Sequence, residues 1–150
     1  MRMTQTADTG FRLRMKDYIL DRVREIRISP ERKKQKEQQI TAEEFSRLRA
    51  FTGSVLWCVR KCRPDVAGPI SLLQRKGKGA RVRDLIEANS IVQHLRDTAD
   101  LGIHYRPIPI ERVRICVFAD ASLNPVSGCK SQGATMLCLV TKTSWKATKE

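Results

Sequence analysis

The pattern of apolar and polar residues predicts a long helix near the middle of the chain. Apolar positions recur there at helical spacing and form one stripe: Phe45, Leu48, Thr52, Val55, Leu56 and Val59. The stretch "TAEE" fits a capping box, with Thr41 at the N-cap and Glu44 three residues later. The helix should therefore run from Thr41 to about Cys62, where "RPD" interrupts it.

Two shorter helices are expected to follow. Pro64 suits a first helical turn, and Pro69 could kink the helix, whose apolar positions are Val66, Ile70, Leu72 and Leu73. The basic, glycine-containing stretch 74–83, "QRKGKGARVR", is interpreted as a loop, and it lacks the Gly-Lys-Ser/Thr of a P-loop. A third helix is expected over about 81–97, with an apolar side formed by Val82, Leu85, Ile86, Ile91, Val92 and Leu95.

The first forty residues carry weaker patterns. Residues 11–28 mix basic and apolar positions, and a short helix is predicted from the spacing of Tyr18, Ile19, Val23 and Ile26. Residues 29–39, "SPERKKQKEQQ", contain no apolar residue and are interpreted as an exposed linker. For this charged stretch, phosphate contact and a solvated surface without a partner are both open.

Beyond residue 102 the pattern changes to that of strands. "IHYRPIPI" contains two prolines and predicts an edge strand or extended connector. "RVRICVFAD" predicts a strand buried on both faces, and "QGATMLCLVTK" predicts its hairpin partner across a long loop. The fold class is therefore α+β, with a bundle of about three helices followed by a β-hairpin. Two strands alone are marginal in water, so we expect the chain to be a fragment.

The charge of the chain points to an anionic partner. Its 29 Lys and Arg against 16 Asp and Glu give a net charge of +13, which is typical of proteins that bind nucleic acid. The alternative is a basic fragment whose acidic neighbour belongs to another part of a longer chain.

The cysteines and the apolar runs indicate in which cellular compartment the chain is expected. Five cysteines, an odd number, and no apolar stretch in "MRMTQTADTG" predict free thiols in a reducing, intracellular compartment. No run approaches the ~18 apolar residues of a membrane span. Cys58 and Cys62 are interpreted as core residues, because His94 and His104 do not stand at zinc-site spacing from them.

Asp120 ends the first strand of the hairpin among small residues. A strand-end carboxylate with small neighbours can hold a divalent cation, but Mg²⁺ generally needs further oxygen ligands. After Asp120 the only acid is Glu150. From the residues alone, a metal ligand and a turn-forming residue are both open.

The stretch 48–76, "LRAFTGSVLWCVRKCRPDVAGPISLLQRK", resembles a segment of the Pol polyprotein of copia-type LTR retrotransposons that follows the polymerase palm. The matching residues are Leu48, Arg49, Gly53, Ser54, Leu56, Trp57, Arg63, Pro64, Asp65, Ser71, Leu72, Leu73 and Gln74. The resemblance extends over about residues 11–141. The resemblance is specific because many matching residues occur in the same order, and not because of any single motif.

The resemblance implies a domain order. Residues 1–40 would be a basic linker leading out of the palm, 41–100 a helical thumb/connection unit, and 103–150 the truncated start of a ribonuclease H-like domain. Asp120 would be a catalytic Mg²⁺ ligand in the intact parent enzyme. The polymerase Tyr-x-Asp-Asp motif and most ribonuclease H carboxylates are absent from the sequence, so whether the chain is an enzyme is uncertain and we expect it not to be catalytic alone. The stretch 142–150 departs from the family pattern.

The resemblance also implies an RNA/DNA hybrid or duplex as partner, together with the remainder of Pol. The candidate phosphate contacts are Arg60, Lys61, Arg63, Arg75, Lys76, Lys78, Arg81 and Arg83. For each of them a solvated surface charge is an equal alternative. Asp65 is expected to stabilise a helix N-terminus. Two further hypotheses remain, a non-catalytic basic nucleic-acid-binding module and a degenerate remnant without function.

Overall fold

The structure, a computed structural model, describes residues 1–122 and 132–141. Over these residues the chain is an α+β protein with five α-helices and two small antiparallel sheets, which confirms the predicted class. It divides into two compact units, Met1–Tyr105 and Arg106–Glu150. Within the described residues, no helix combines the length and apolar character needed to cross a membrane.

All five helices belong to the first unit. They are α1 (Lys16–Arg22), α2 (Pro30–Lys34), α3 (Ala42–Lys61), α4 (Ala67–Lys76) and α5 (Val82–Asp97). The predicted capping box of α3 is confirmed, because Thr41 Oγ1 accepts from the Glu44 N–H at 3.1 Å and Glu44 Oε2 accepts from the Thr41 N–H at 2.8 Å. The three long predicted helices are therefore confirmed to within a few residues at each end.

The start of α4 differs in detail from the prediction. Pro64–Val66 form a short 3₁₀ turn, and Pro69 lies in the first turn of α4. A first-turn N–H has no acceptor within its own helix, so proline is tolerated there and α4 is continuous. Stretch 74–83 is only partly a loop, because its first three residues belong to α4 and Gly77–Gly79 form another 3₁₀ turn.

A three-stranded antiparallel sheet completes the first unit. Its strands are β1 (Arg2–Gln5), β2 (Phe11–Arg14) and β3 (Gly102–Tyr105), in the order β1-β2-β3. The predicted edge strand at β3 is confirmed. The short helix predicted within 11–28 is present as α1, but it ends at Arg22, so Val23 and Ile26 lie after it, where the backbone becomes extended. Residues 11–14, for which no strand was predicted, pair with β3. Met15, Ile19, Val23 and Ile26 of this region are buried, whereas Phe11 and Leu20 are exposed.

The charged stretch 29–39 is mostly exposed, as expected, but it is not irregular throughout. Ser29 Oγ accepts from the Arg32 N–H at 3.2 Å and Pro30 is the first residue of α2, a favourable helix start. Arg32 then donates to both carboxylate oxygens of Glu44, at 3.0 and 2.8 Å. This contact fixes α2 to the N-terminus of α3.

The core of the first unit lies between α1, α3, α4 and α5. Cys58 and Cys62 are buried in it, which confirms their interpretation as core residues. Burial raises the pKa of the Cys58 thiol to about 11, so this sulfur is protonated and unreactive at neutral pH. Ile70 and Leu73 also lie in the core, whereas Leu72 points outward.

The second unit contains the predicted hairpin, β4 (Arg114–Ser122) and β5 (Gln132–Val140). The predicted long loop and the divergent stretch 142–150 lie outside the described residues. The prediction that β4 is buried on both faces is wrong: Ile115 is 67% and its neighbour Val117 55% exposed. Apolar composition alone cannot bury a strand: among the described apolar residues of β4, only Cys116 is buried.

Candidate nucleic-acid interface

Arg63, one of the candidate phosphate contacts, lies inside the protein. Its side chain is 1% exposed. It donates to the two carboxylate oxygens of Asp65 at 2.9 and 2.7 Å, and to the carbonyl and Oγ1 of Thr98 at 3.1 and 2.7 Å. The side chain joins the α3–α4 turn to the end of α5, and it has no free donor on the surface. We therefore remove Arg63 from the candidate phosphate contacts.

Asp65 shows the effect of this ion pair. The hydrogen bonds from Arg63 hold the pKa of its carboxyl at about 2, and His94 Nε2, 3.1 Å from Oδ2, acts in the same direction. Asp65 does lie in the first turn of a 3₁₀ segment, as expected for a helix-stabilising acid. Its main contact, however, is with a buried arginine, and the sequence spacing did not indicate this.

Five of the seven remaining candidates lie at or just after the ends of α3 and α4. Arg60 and Lys61 end α3, and Lys61 Nζ lies 4.7 Å from the ring centroid of Trp57, a cation–π contact. Arg75 and Lys76 end α4, and Lys78 follows them. Cations in the last turn of a helix also stabilise its dipole, so these positions have a structural role as well.

A backbone pairing brings further cations to the start of α5. The N–H groups of Val82 and Arg83 donate to the carbonyls of Gln38 and Lys36, both at 3.0 Å. This pairing places four exposed cations together, which we call the basic corner: Lys36, Lys78, Arg81 and Arg83. Sequence reasoning left Lys36 out of the candidate contacts, although the stretch "KKQK" was a signal for it.

Glu37 lies within the basic corner. Its carboxylate oxygens are 2.7 Å from Arg81 Nη1 and 2.9 Å from Arg83 Nη1. The hydrogen bond from Arg81 is the main cause of the lowered pKa of Glu37. One acid therefore holds two arginines in place, and the corner keeps a positive charge.

A groove of about 330 Å³ lies between α3 and the end of α4. Its lining residues are Phe45, Leu48, Arg49, Thr52, Gly53, Leu73, Gln74 and Gly77. The groove places the end of α4 beside the N-terminal half of α3. Lys61 is twelve residues beyond Arg49, about 18 Å along the helix, so the two groups of candidates are not one cluster.

One line of residues runs along α3 between these two groups; it is exposed from Arg49 to Trp57 and half-buried at Lys61. Arg49, Gly53, Trp57 and Lys61 are four residues apart, so each lies beside the next on the helix surface. We call this line the α3 stripe. A Cβ at Gly53 would meet nothing within 4 Å, and Trp57 is 49% exposed. Sequence reasoning included three of these residues in the family match but gave them no role. Their spacing of four was the signal.

Asp120 is exposed near the end of β4, opposite Ala134 of β5. Within residues 1–122 and 132–141, no group of three or more His, Cys, Asp or Glu could hold a metal ion. Mg²⁺ prefers octahedral oxygen coordination, which one carboxylate among alanines does not provide. The described residues therefore do not form a magnesium site by themselves.

Comparisons with protein-family models, with curated proteins and with solved structures find no match for this chain. A function can therefore be proposed only from the chain itself: its sequence, its exposed cations, an open helix face and a lone strand-end acid.

Proposed function

We propose that this chain is a segment of a retrotransposon Pol polyprotein, a thumb/connection unit joined to the first hairpin of a ribonuclease H-like domain, and that its helical unit binds a nucleic-acid duplex. The observation that carries the binding proposal is the groove beside Gly53. Arg49 and Gly53 of the α3 stripe line it on one side. The end of α4 lines it on the other side through Leu73, Gln74 and Gly77, which lie next to Lys76 and Lys78 in the sequence. The ordered sequence resemblance over 48–76 supports the assignment to Pol.

The groove suits a sugar–phosphate backbone. The missing side chain at Gly53 allows a backbone to approach α3 closely. Trp57 offers a half-exposed aromatic ring for sugar or base contact. Arg49, Lys76 and Lys78 would neutralise phosphates, which gives affinity without sequence readout and strong salt dependence.

The hairpin would contribute one acid to a site completed elsewhere. Asp120 would be one Mg²⁺ ligand once further carboxylates from the remainder of Pol are present. The chain alone should not cleave RNA paired with DNA. Mg²⁺-dependent cleavage by the purified chain that is lost in Asp120→Asn would overturn this part of the proposal.

Binding is tested with a labelled RNA/DNA hybrid and fluorescence anisotropy across a salt series. Gly53→Leu should weaken binding, because it fills the open side of the groove. Gly68→Leu is the matched control: Gly68 is likewise an exposed helical glycine at which a Cβ would meet nothing within 4 Å, but it lies in α4 and does not line the groove. Salt-insensitive binding, or equal binding by both variants, would contradict the proposal.

A further inference from the structure

Four arginines surround a second hollow in the helical unit. The hollow has a volume of about 700 Å³ and is lined by Leu20, Asp21, Arg22, Arg24, Glu25, Arg27 and Arg96. Arg22 ends α1, the next residues belong to the extended segment that follows, and Arg96 lies in the last turn of α5. We call this feature the arginine cleft.

The backbone of the cleft is held in place by α5. Val23 and Ile26 of the extended segment are buried. The side chain of Asn89 accepts from the Ile26 N–H at 2.8 Å and donates to the Ile26 carbonyl at 2.9 Å. Arg96 Nη2 donates to the Val23 carbonyl at 3.3 Å. The segment is therefore fixed, and Arg24 and Arg27, each of which follows a buried residue, are exposed.

The four arginines of the cleft outnumber its two acids and form no ion pair within the described part of the chain. There, no ion pair joins Asp21 or Glu25 to any arginine of the cleft. In the basic corner, by contrast, Arg81 and Arg83 both contact Glu37. Guanidinium groups held near one another without an acid partner favour an anion, and their planar donors match phosphate oxygens.

We propose that the arginine cleft binds phosphates of the nucleic-acid backbone, as a second contact separate from the basic corner. This inference rests on the proposed duplex binding. Arg96 is thirteen residues beyond Arg83 on α5, about 20 Å along the helix axis. A duplex carries about one phosphate per 1.7 Å of its axis, so one duplex can supply phosphates to both ends of α5.

The chemistry favours a polymer over a compact polyphosphate. Asp21 and Glu25 also line the hollow, and Leu20 is 45% exposed beside it. A small, highly charged ligand would be repelled by two nearby carboxylates. A backbone whose single charges are spread along its length can contact the arginines and avoid the acids.

The test measures hybrid binding by the full chain over a salt series. The triple variant Arg22→Gln, Arg24→Gln, Arg27→Gln should weaken binding about tenfold or more at physiological salt and reduce the slope of log K against log[salt] by roughly two. The control removes the same charge from the second unit, with Arg106→Gln, Arg112→Gln and Arg114→Gln, and should have a clearly smaller effect.

A second variant is expected to bind the hybrid more tightly than the wild type. Asp21→Asn with Glu25→Gln removes the two acids of the cleft and should tighten hybrid binding several-fold, an outcome that damage to the fold would not produce. If wild-type protein binds the hybrid and both cleft variants bind like it, the cleft is not a contact although the proposed function stands. If the wild type does not bind the hybrid, both the proposed function and this inference fail.

Inorganic tripolyphosphate tests whether the ligand of the cleft is a free polyphosphate and not a nucleic acid. Saturable binding of tripolyphosphate that the triple variant loses, with hybrid binding unchanged, would identify a free polyphosphate as the ligand and overturn the inference. If tripolyphosphate instead competes with the hybrid only at concentrations at which salt alone also displaces the hybrid, that result supports the inference.

Discussion

Replacement of Arg63 by alanine should destabilise the helical unit, because it removes four hydrogen bonds at once. Two of them join Asp65 and two join Thr98. Loss of one partner of a buried ion pair typically costs about 3–5 kcal/mol. The side chain of Asp65 is 37% exposed, so water replaces part of the lost interaction, and we expect about 3 kcal/mol for Arg63→Ala. That is a large part of the stability of an ordinary domain.

Urea unfolding of the full chain, followed by far-ultraviolet circular dichroism, measures this effect, since all five described helices belong to one unit. Arg60→Ala is the matched control: it removes an exposed arginine three residues earlier and should change stability by about 0.5 kcal/mol or less. Arg63→Lys should recover only part of the loss, because an ammonium cannot reproduce the paired contact with Asp65.

A change below about 0.5 kcal/mol for Arg63→Ala would refute the reasoning. It would mean that Arg63 does not hold the α3–α4 turn, and Arg63 would return to the candidate phosphate contacts. A double-mutant cycle with Asp65→Asn separates the ion pair from the contacts to Thr98.

Three further predictions concern stability. Thr41→Ala should cost about 1 kcal/mol, measured by urea unfolding, because the N-cap of α3 is lost. Asn89→Ala should cost about 1–3 kcal/mol in the same assay, since both backbone groups of Ile26 lose their partner. Glu44 and Asp65 have a pKa of about 2 in the folded chain, below their ordinary values. Their contribution to stability is present near neutral pH and should be lost as pH falls from about 4.5 towards 2; a stability that stays flat across this range would contradict it.

The helices that could be predicted are those specified by local sequence. α3 has a capping box and an apolar stripe within its own residues, and α5 has an apolar side of the same kind. β2 was missed because its partner is far away in sequence: Phe11 pairs with Tyr105. A Cβ at Gly102 would lie 2.1 Å from the Leu13 carbonyl oxygen, so this glycine permits the pairing, but its position alone does not identify the partner.

The candidate site was predictable in composition but not in arrangement. A lysine or arginine is recognisable from the sequence, whereas its burial depends on residues far along the chain. Arg63 is buried because Thr98, thirty-five residues later, accepts two of its hydrogen bonds. Gln38 and Lys36 pair with the start of α5, and that contact, not the local charge pattern, forms the basic corner.

The net charge of +13 is therefore larger than the charge available to a bound phosphate, and it does not show where on the protein that charge lies. Arg63 is buried against Asp65, and Arg81 and Arg83 share Glu37. Arginines of the arginine cleft, such as Arg24, have no acid partner among the described residues. A displaced counter-ion contributes to affinity only where a cation is exposed and unpaired. The salt dependence of binding should accordingly follow the exposed, unpaired cations on α3, at Lys76 and Lys78 and in the arginine cleft, and not the total charge of the chain.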